Sequence, residues 1–384
     1  MSQYGYIVDF IRSLYKQPVG LIPLHTPVFK GNEKKYIEEC IDSTFVSSVG
    51  KFVDRFEEEM ARYTGAKKAV ACVNGTNALH LGLKLVGVEQ DHEVITQPLT
   101  FIATTNAISY CGAKPVFLDV DIKTLGLSPI ALLKFLETQT CFNSSTHQLI
   151  NSSTLRPISA CVPMHTFGHP CRIDEIVDIC NKFNLPVVED AAESLGSFFK
   201  GQHTGTFGNI GILSFNGNKI LTTGGGGMML FQDTLLAKHA KHLTTQAKIS
   251  HPWEFVHDEI GYNYRMPNIN AALGLAQLEQ LEDFLVSKRK LSKDYLDFFN
   301  QTEITFIEEP KGAKSNYWLN CILMRNKAER DNFLKYTNDH GIMTRPAWEL
   351  MNKLVMFKNC QTDELTNAIE FAARLVNIPS SVRS

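Results

Sequence analysis

Three residue groups have types and spacing that suit covalent and acid-base chemistry. Lys219 closes Ser214-Phe215-Asn216-Gly217-Asn218-Lys219, which follows the apolar run 210–215; Gly224-Gly225-Gly226-Gly227 and a second apolar run, 228–231, come after it. A nucleophilic lysine must be neutral, and a partly desolvated cleft at a strand end disfavours its charged form. The same position also suits a loop lysine whose stem covers apolar surface while its ammonium reaches water. Asp190 ends the apolar run 185–190, where a carboxylate is costly unless a cation or several donors meet it. It can cap the following helix, or pair with the protonated nitrogen of a heteroaromatic ring. Asn74-Gly75-Thr76 stands where a strand feeds a helix, so backbone N–H groups and the Thr76 hydroxyl can cup an anion. Ser214 can add a hydroxyl to that anion, and Phe101 can stack on a flat ring. Strand polarity and core packing are the ordinary alternatives for those two.

Such groups work only if a scaffold brings them together. Short apolar runs at 68–72, 93–96, 115–119, 158–164, 185–190, 210–215 and 228–231 alternate with helix-length amphipathic stretches. That rhythm predicts an α/β fold, a largely parallel sheet with helices on both faces. In such sheets ligands gather at the carboxyl ends of the strands, and that is where Asn74, Phe101, His165, Asp190 and Lys219 fall. Beyond about residue 260 the pattern predicts one long helix over 268–299, a strand in 317–324, a helix near 329–340 and a last element over 365–376. The division expected is 1–260, an N-terminal arm and large sheet domain, and 261–384, a linking helix and smaller C-terminal α/β domain. The polar segment 143–153 reads as a surface loop.

At 384 residues and 44% apolar composition the chain can build two cores. A net charge of −2, from 38 basic and 40 acidic residues evenly mixed, gives no stripe for nucleic acid and no patch for a membrane surface. Nine cysteines without a C-x-x-C pair fit reduced core thiols rather than a disulfide framework. No metal is expected. The amphipathic start lacks the pattern of a signal peptide, and no run approaches a membrane span, so a cytoplasmic protein is expected.

A lysine for a Schiff base, an aspartate for a pyridine nitrogen, a helix-start cup for a phosphate and an aromatic face are together what pyridoxal phosphate requires of a protein. The chain resembles the DegT/DnrJ/EryC1/StrS sugar-nucleotide aminotransferases from about residue 22 to 379. The resemblance rests on Asn74-Gly75-Thr76-Asn77-Ala78-Leu79, Pro98-Leu99-Thr100-Phe101-Ile102-Ala103-Thr104, Glu189-Asp190-Ala191-Ala192, Ser214-Phe215 with Lys219, and Gly261-Tyr262-Asn263-Tyr264-Arg265-Met266. Within the family, Phe45-Val46-Ser47-Ser48-Val49-Gly50, Thr344-Arg345-Pro346 with Trp348, and Asn377-Ile378-Pro379-Ser380-Ser381 are similar to the LegC-type enzymes of bacillosamine and legionaminic acid synthesis.

The resemblance implies the aspartate-aminotransferase-like fold (fold type I), with a large, mostly parallel seven-stranded sheet. It implies Lys219 and Asp190 as the catalytic pair, with Gly75, Thr76 and Ser214 on the phosphate and Phe101 on the ring. It also implies a homodimer with shared active sites, in which Asn263 reaches the partner's phosphate. Ser48, His165, Tyr264, Arg265 and Arg345 are implied as sugar-nucleotide contacts. Glu193 stands where many relatives have Gln or His beside the cofactor's phenolic oxygen; a carboxylate there must share a proton or a water. The implied reaction moves the amino group of L-glutamate to C4 of a 4-keto-6-deoxy sugar nucleotide. UDP-2-acetamido-4-keto-2,4,6-trideoxyglucose is the acceptor expected, and a GDP-perosamine-synthase-like or dTDP-sugar enzyme the alternative. A sugar 3-dehydratase would typically carry histidine at position 219, and a non-catalytic sugar-nucleotide regulator would have no need of the Lys219–Asp190 pair.

Overall fold

A computed structural model describes residues 4–383. Its central sheet follows the seven apolar runs. Strand Lys68–Cys72 pairs with Gly227–Phe231, which pairs with Ile210–Ser214, which pairs with Val188–Asp190. Strands Lys114–Phe117, Glu93–Thr96 and Pro157–Val162 run parallel to one another. Parallel bridges Cys161–Val187 and Met164–Asp190 join the two groups into one seven-stranded layer. Only Gly227–Phe231 runs antiparallel to its neighbours in that layer. Because most strands are buried on both faces, their residues read as continuous apolar runs.

Two hydrophobic clusters sandwich the sheet. On one face Ala69, Ala71, Leu213, Met228 and Leu230 pack with Phe52, Phe56 and Met60; on the other Val70, Ile210, Ile212, Met229 and Phe231 pack with Ala78, Leu81 and Ala240. The alternation along each strand is the two-residue period of pleated backbone. A second, antiparallel sheet takes the order Thr305–Phe306, Asn320–Leu323, Leu375–Ile378, Arg345–Pro346. Helix Gly5–Tyr15 buries Ile7, Val8 and Ile11 against this sheet's core, with Ile322, Phe333 and Val376.

Two sequence expectations are corrected. The stretch 268–299 is two helices, Asn268–Leu278 and Leu281–Phe299. Glu279 accepts from Asn32 Nδ2 at 2.7 Å and Tyr36 OH at 2.6 Å, and Gln280 Nε2 donates to Glu33 Oε1 at 2.7 Å. Contacts from a distant segment thus fix the break, while apolar spacing runs on through it. The second helix carries Leu281, Phe284 and Leu285 in one core and Leu291, Tyr295 and Phe299 in the other. The segment 143–153 is no plain loop, since Thr140–Asn143 and Gln148–Asn151 form an antiparallel hairpin. Its polar residues are used in place: Asn143 Oδ1 accepts from Ser145 N at 3.0 Å to make the turn, and fully buried Asn151 donates to Glu93 Oε2 at 2.6 Å.

All nine cysteines are free thiols. Among the described residues no helix is long and apolar enough to cross a membrane.

Candidate active site

The carboxyl ends of the strands open on a cavity of about 330 Å³, lined by Asn74, Gly75, Thr76, Phe101, Asp190, Glu193, Ser214 and Lys219 with Met164, Trp318 and Trp348. A larger cleft of about 580 Å³, edged by Asp119, Lys134 and Asp363, contains none of the groups singled out for chemistry.

The candidate anion cup lies where Lys68–Cys72 feeds helix Gly75–Leu85. Asn74 caps that helix, its Oδ1 accepting from Asn77 N at 2.7 Å. The N–H groups of Gly75 and Thr76 open the first turn and so have no intrahelical acceptor, which leaves them for an anion. Ser214 faces them from the end of strand Ile210–Ser214, and a Cβ on Gly75 would stand 2.9 Å from Ser214 Cβ. A Cβ on Gly227 would meet the Asn74 carbonyl carbon at 2.4 Å. Glycine at both positions lets three strand ends converge.

Lys219 sits in a turn made by Lys219 N donating to Asn216 O at 3.0 Å. Trp318 Nε1 donates to Asn218 O at 2.7 Å and pins the turn, while the Lys219 ammonium lies 4.0 Å from the Trp318 ring centroid. Lys219 Nζ donates to Glu193 Oε1 at 3.3 Å. The other oxygen of Glu193 accepts from Phe167 N at 2.9 Å. Phe167 adopts φ +57°, a left-handed conformation costly for a non-glycine residue and common at functional sites. Burial pushes the Glu193 carboxyl up to about 7, against the pull of Lys219 and the Phe167 N–H and with the repulsion of Asp190.

Asp190 is buried at the end of its strand. Thr104 Oγ1 donates to its Oδ2 at 2.7 Å and Ala192 N donates to its Oδ1 at 3.2 Å. Phe101, 47% exposed, forms a rim of the cavity, and Trp348 packs edge-on against it at 6.1 Å.

The structure leaves the remaining sequence candidates outside this chain's cavity. His165 is corrected: it is completely buried, its Nε2 bonded to Glu189 at 3.1 Å and its Nδ1 accepting from Cys171 N at 3.1 Å, and it has no face for a sugar nucleotide. Its two partners hold it as a packing element beneath the strand. Asn263 is exposed. Tyr264 OH contacts His80 Nδ1 at 3.2 Å, and Arg265 Nη2 lies 3.8 Å from Asp54. Ser48 is half-buried, and exposed Arg345 donates to Asn338 Oδ1 at 2.9 Å. Trp318 and Trp348 went unassigned as cavity walls from the sequence. Their scarcity was the available signal, because two of the three tryptophans line this one cavity.

The assembled groups fit a flat heteroaromatic aldehyde carrying a phosphate. The cavity supplies an amine with a buried carboxylate beside it, a second carboxylate held by two donors, a helix N-terminus and an aromatic rim. The model of the DegT/DnrJ/EryC1/StrS aminotransferase family matches residues 27–383. The chain is similar to the GDP-perosamine synthase of Escherichia coli O157:H7, at 38% identity over 94% of this chain and 93% of the relative. It is similar to the GDP-perosamine synthase of Caulobacter vibrioides, at 34% identity over 94% and 93%. Among solved structures the aminotransferase TlmJ from Streptoalloteichus hindustanus superposes with a TM-score of 0.85, at 26% identity over 94% of each chain. The chain belongs to the DegT/DnrJ/EryC1/StrS aminotransferase family, whose cofactor is pyridoxal 5'-phosphate.

Proposed function

We propose that this protein moves the amino group of L-glutamate to C4 of a 4-keto-6-deoxy sugar nucleotide. The observation that carries this reading is the meeting of Lys219, Glu193 and Asp190 with the Gly75–Thr76–Ser214 cup in one cavity. Bound pyridoxal phosphate supplies the aldehyde that takes up the amino group and the ring that accepts electrons from the reacting carbon.

The chain's own residues do the rest. Gly75, Thr76 and Ser214 hold the phosphate, and Phe101 covers a face of the ring. Asp190 meets the ring nitrogen in a charge-assisted contact. Lys219 would supply the amine that holds the cofactor's aldehyde and, when free, would move the proton at the donor's α-carbon. Loss of 2-oxoglutarate then frees the site for the keto sugar, which takes the amino group by the reverse steps, so the kinetics are ping-pong.

The working unit is a homodimer. Asn263 is exposed and outside its own cavity, which suits a residue that completes the partner's phosphate site. Exposed Phe45, Val46 and Val49, with Trp253, Phe255 and Ile260, give the chain apolar surface for a second copy to cover. Ser48, Tyr264, Arg265 and Arg345 remain the proposed sugar-nucleotide contacts. Arg345 has the planar fork that binds oxyanions.

Two acceptors are favoured by different observations. The motifs at 45–50, 344–348 and 377–381 support UDP-2-acetamido-4-keto-2,4,6-trideoxyglucose, and the similarity to two GDP-perosamine synthases supports a GDP-linked 4-keto-6-deoxy sugar at least as well. Incubation with glutamate and UDP-, GDP- and dTDP-linked 4-keto-6-deoxy sugars, followed by mass and NMR analysis, separates them. The reading expects one acceptor to gain an amino group at C4 as 2-oxoglutarate appears. Amination of none, or at another carbon, contradicts it.

A further inference from the structure

Asp190 is the end of a hydrogen-bonded chain. Thr104 Oγ1 lies 2.7 Å from Asp190 Oδ2 and 2.7 Å from Thr100 Oγ1. Both threonines are fully buried. Counting protons sets the direction. An ionised carboxylate only accepts, so the single hydroxyl proton of Thr104 goes to Asp190. Thr104 then has only lone pairs for Thr100, whose proton must point to it. Met164 Sδ, 2.9 Å from Thr100 Oγ1 on the far side of the chain, is the weaker acceptor for that same proton.

The placement ties this chain to the rest of the site. Thr100 and Thr104 bracket Phe101, and Thr104 is the third residue of helix Ile102–Tyr110, which Phe101 starts. One helix start therefore carries both the aromatic rim and the hydroxyl that grips the carboxylate. Ala192 N holds the other oxygen, so each oxygen of the carboxylate has one donor, and Asp190 lines the cavity.

We propose that Thr104, backed by Thr100, is a positioning residue that orients Asp190 toward the cofactor's ring nitrogen. The inference rests on the proposed role of Asp190. Valine at 104 keeps the shape and removes the hydroxyl, so the carboxylate loses one of its two donors and can turn. A hydrogen bond to a charged group is worth enough to change a rate about tenfold.

The test compares wild type, Thr104→Val, Thr104→Ser and Asp190→Asn as holoenzymes. Two readouts are taken, the pH titration of the bound cofactor's absorbance and the kinetic constants with glutamate. Thr104→Val should bind cofactor and displace the absorbance titration in the same direction as Asp190→Asn, but less. Its kcat should fall about tenfold with KM for glutamate within about twofold, and Thr104→Ser should restore both readouts. A Thr104→Val enzyme with the wild-type titration and kcat overturns the inference, as does a serine variant no better than valine. Should the valine variant fail to fold, Thr104→Ala carries the same expectation. Asp190→Asn separates the two levels: if it too behaves as wild type, the role of Asp190 fails, whereas an impaired Asp190→Asn beside a normal Thr104→Val sinks only the role of Thr104.

Discussion

Lys219 and Glu193 form an ion pair at 3.3 Å in which the lysine side chain is 12% exposed and the glutamate 1%. With its carboxyl raised to about 7 by burial, Glu193 can take a proton near neutral pH. A protonated Glu193 has a donor to offer where a carboxylate has only lone pairs.

The raised carboxyl makes a prediction for the cofactor-free protein. Between its ordinary value of 4.5 and about 7, Glu193 binds more proton in the folded than in the unfolded chain. The stability it contributes is therefore fully present below 4.5 and is lost as pH rises through about 7, by about 3 kcal/mol across the window. Urea unfolding at pH 5 and pH 7.5 should show Glu193→Gln losing less stability over this range than wild type. Equal losses would mean that Glu193 ionises as an ordinary carboxylate.

The sheet and the helix start at Asn74 were legible in the sequence because each depends on local pattern. Buried strands wrote themselves as apolar runs, and Asn74-Gly75-Thr76 is a helix start by its own chemistry. What was illegible depends on distant partners. The break at Glu279–Gln280 is fixed by Asn32, Glu33 and Tyr36, and the burial of Asn151 by Glu93. His165 looked like a site residue because it follows a strand, but Glu189 and Cys171 claim both of its nitrogens. The Thr100–Thr104–Asp190 chain joins residues 86 apart in sequence, which no spacing rule could expose.

Gly75 is spaced for close approach. Alanine there would place its Cβ 2.9 Å from Ser214 Cβ, forcing the strand end and helix start apart. Gly75→Ala should weaken pyridoxal phosphate binding about tenfold or more, about 1.4 kcal/mol, as measured by fluorescence titration. Unchanged affinity would remove Gly75 and Ser214 from the phosphate site.

Asp190→Asn keeps the shape of the side chain and removes its charge. The variant should retain cofactor and transaminate at least about a hundredfold more slowly, about 3 kcal/mol of transition-state stabilisation. A near-normal single-turnover rate would show that Asp190 is not what sustains the electron sink.

Sharing of sites between subunits is open to complementation. Lys219→Ala and Asn263→Ala proteins, each inactive alone, should regain activity when unfolded, mixed and refolded together. Random pairing makes half the dimers mixed, each with one intact site, so about a quarter of sites should work. No recovery would place Asn263 within its own chain's chemistry or outside the site altogether.

Borohydride treatment of the purified holoenzyme, followed by digestion and peptide mass analysis, asks most directly whether Lys219 is the residue that holds the cofactor. The expected result is loss of the bound cofactor's visible absorbance together with a pyridoxyl phosphate adduct on the peptide containing Lys219. An adduct on another lysine, or an unmodified Lys219 peptide after the absorbance has gone, would contradict the account.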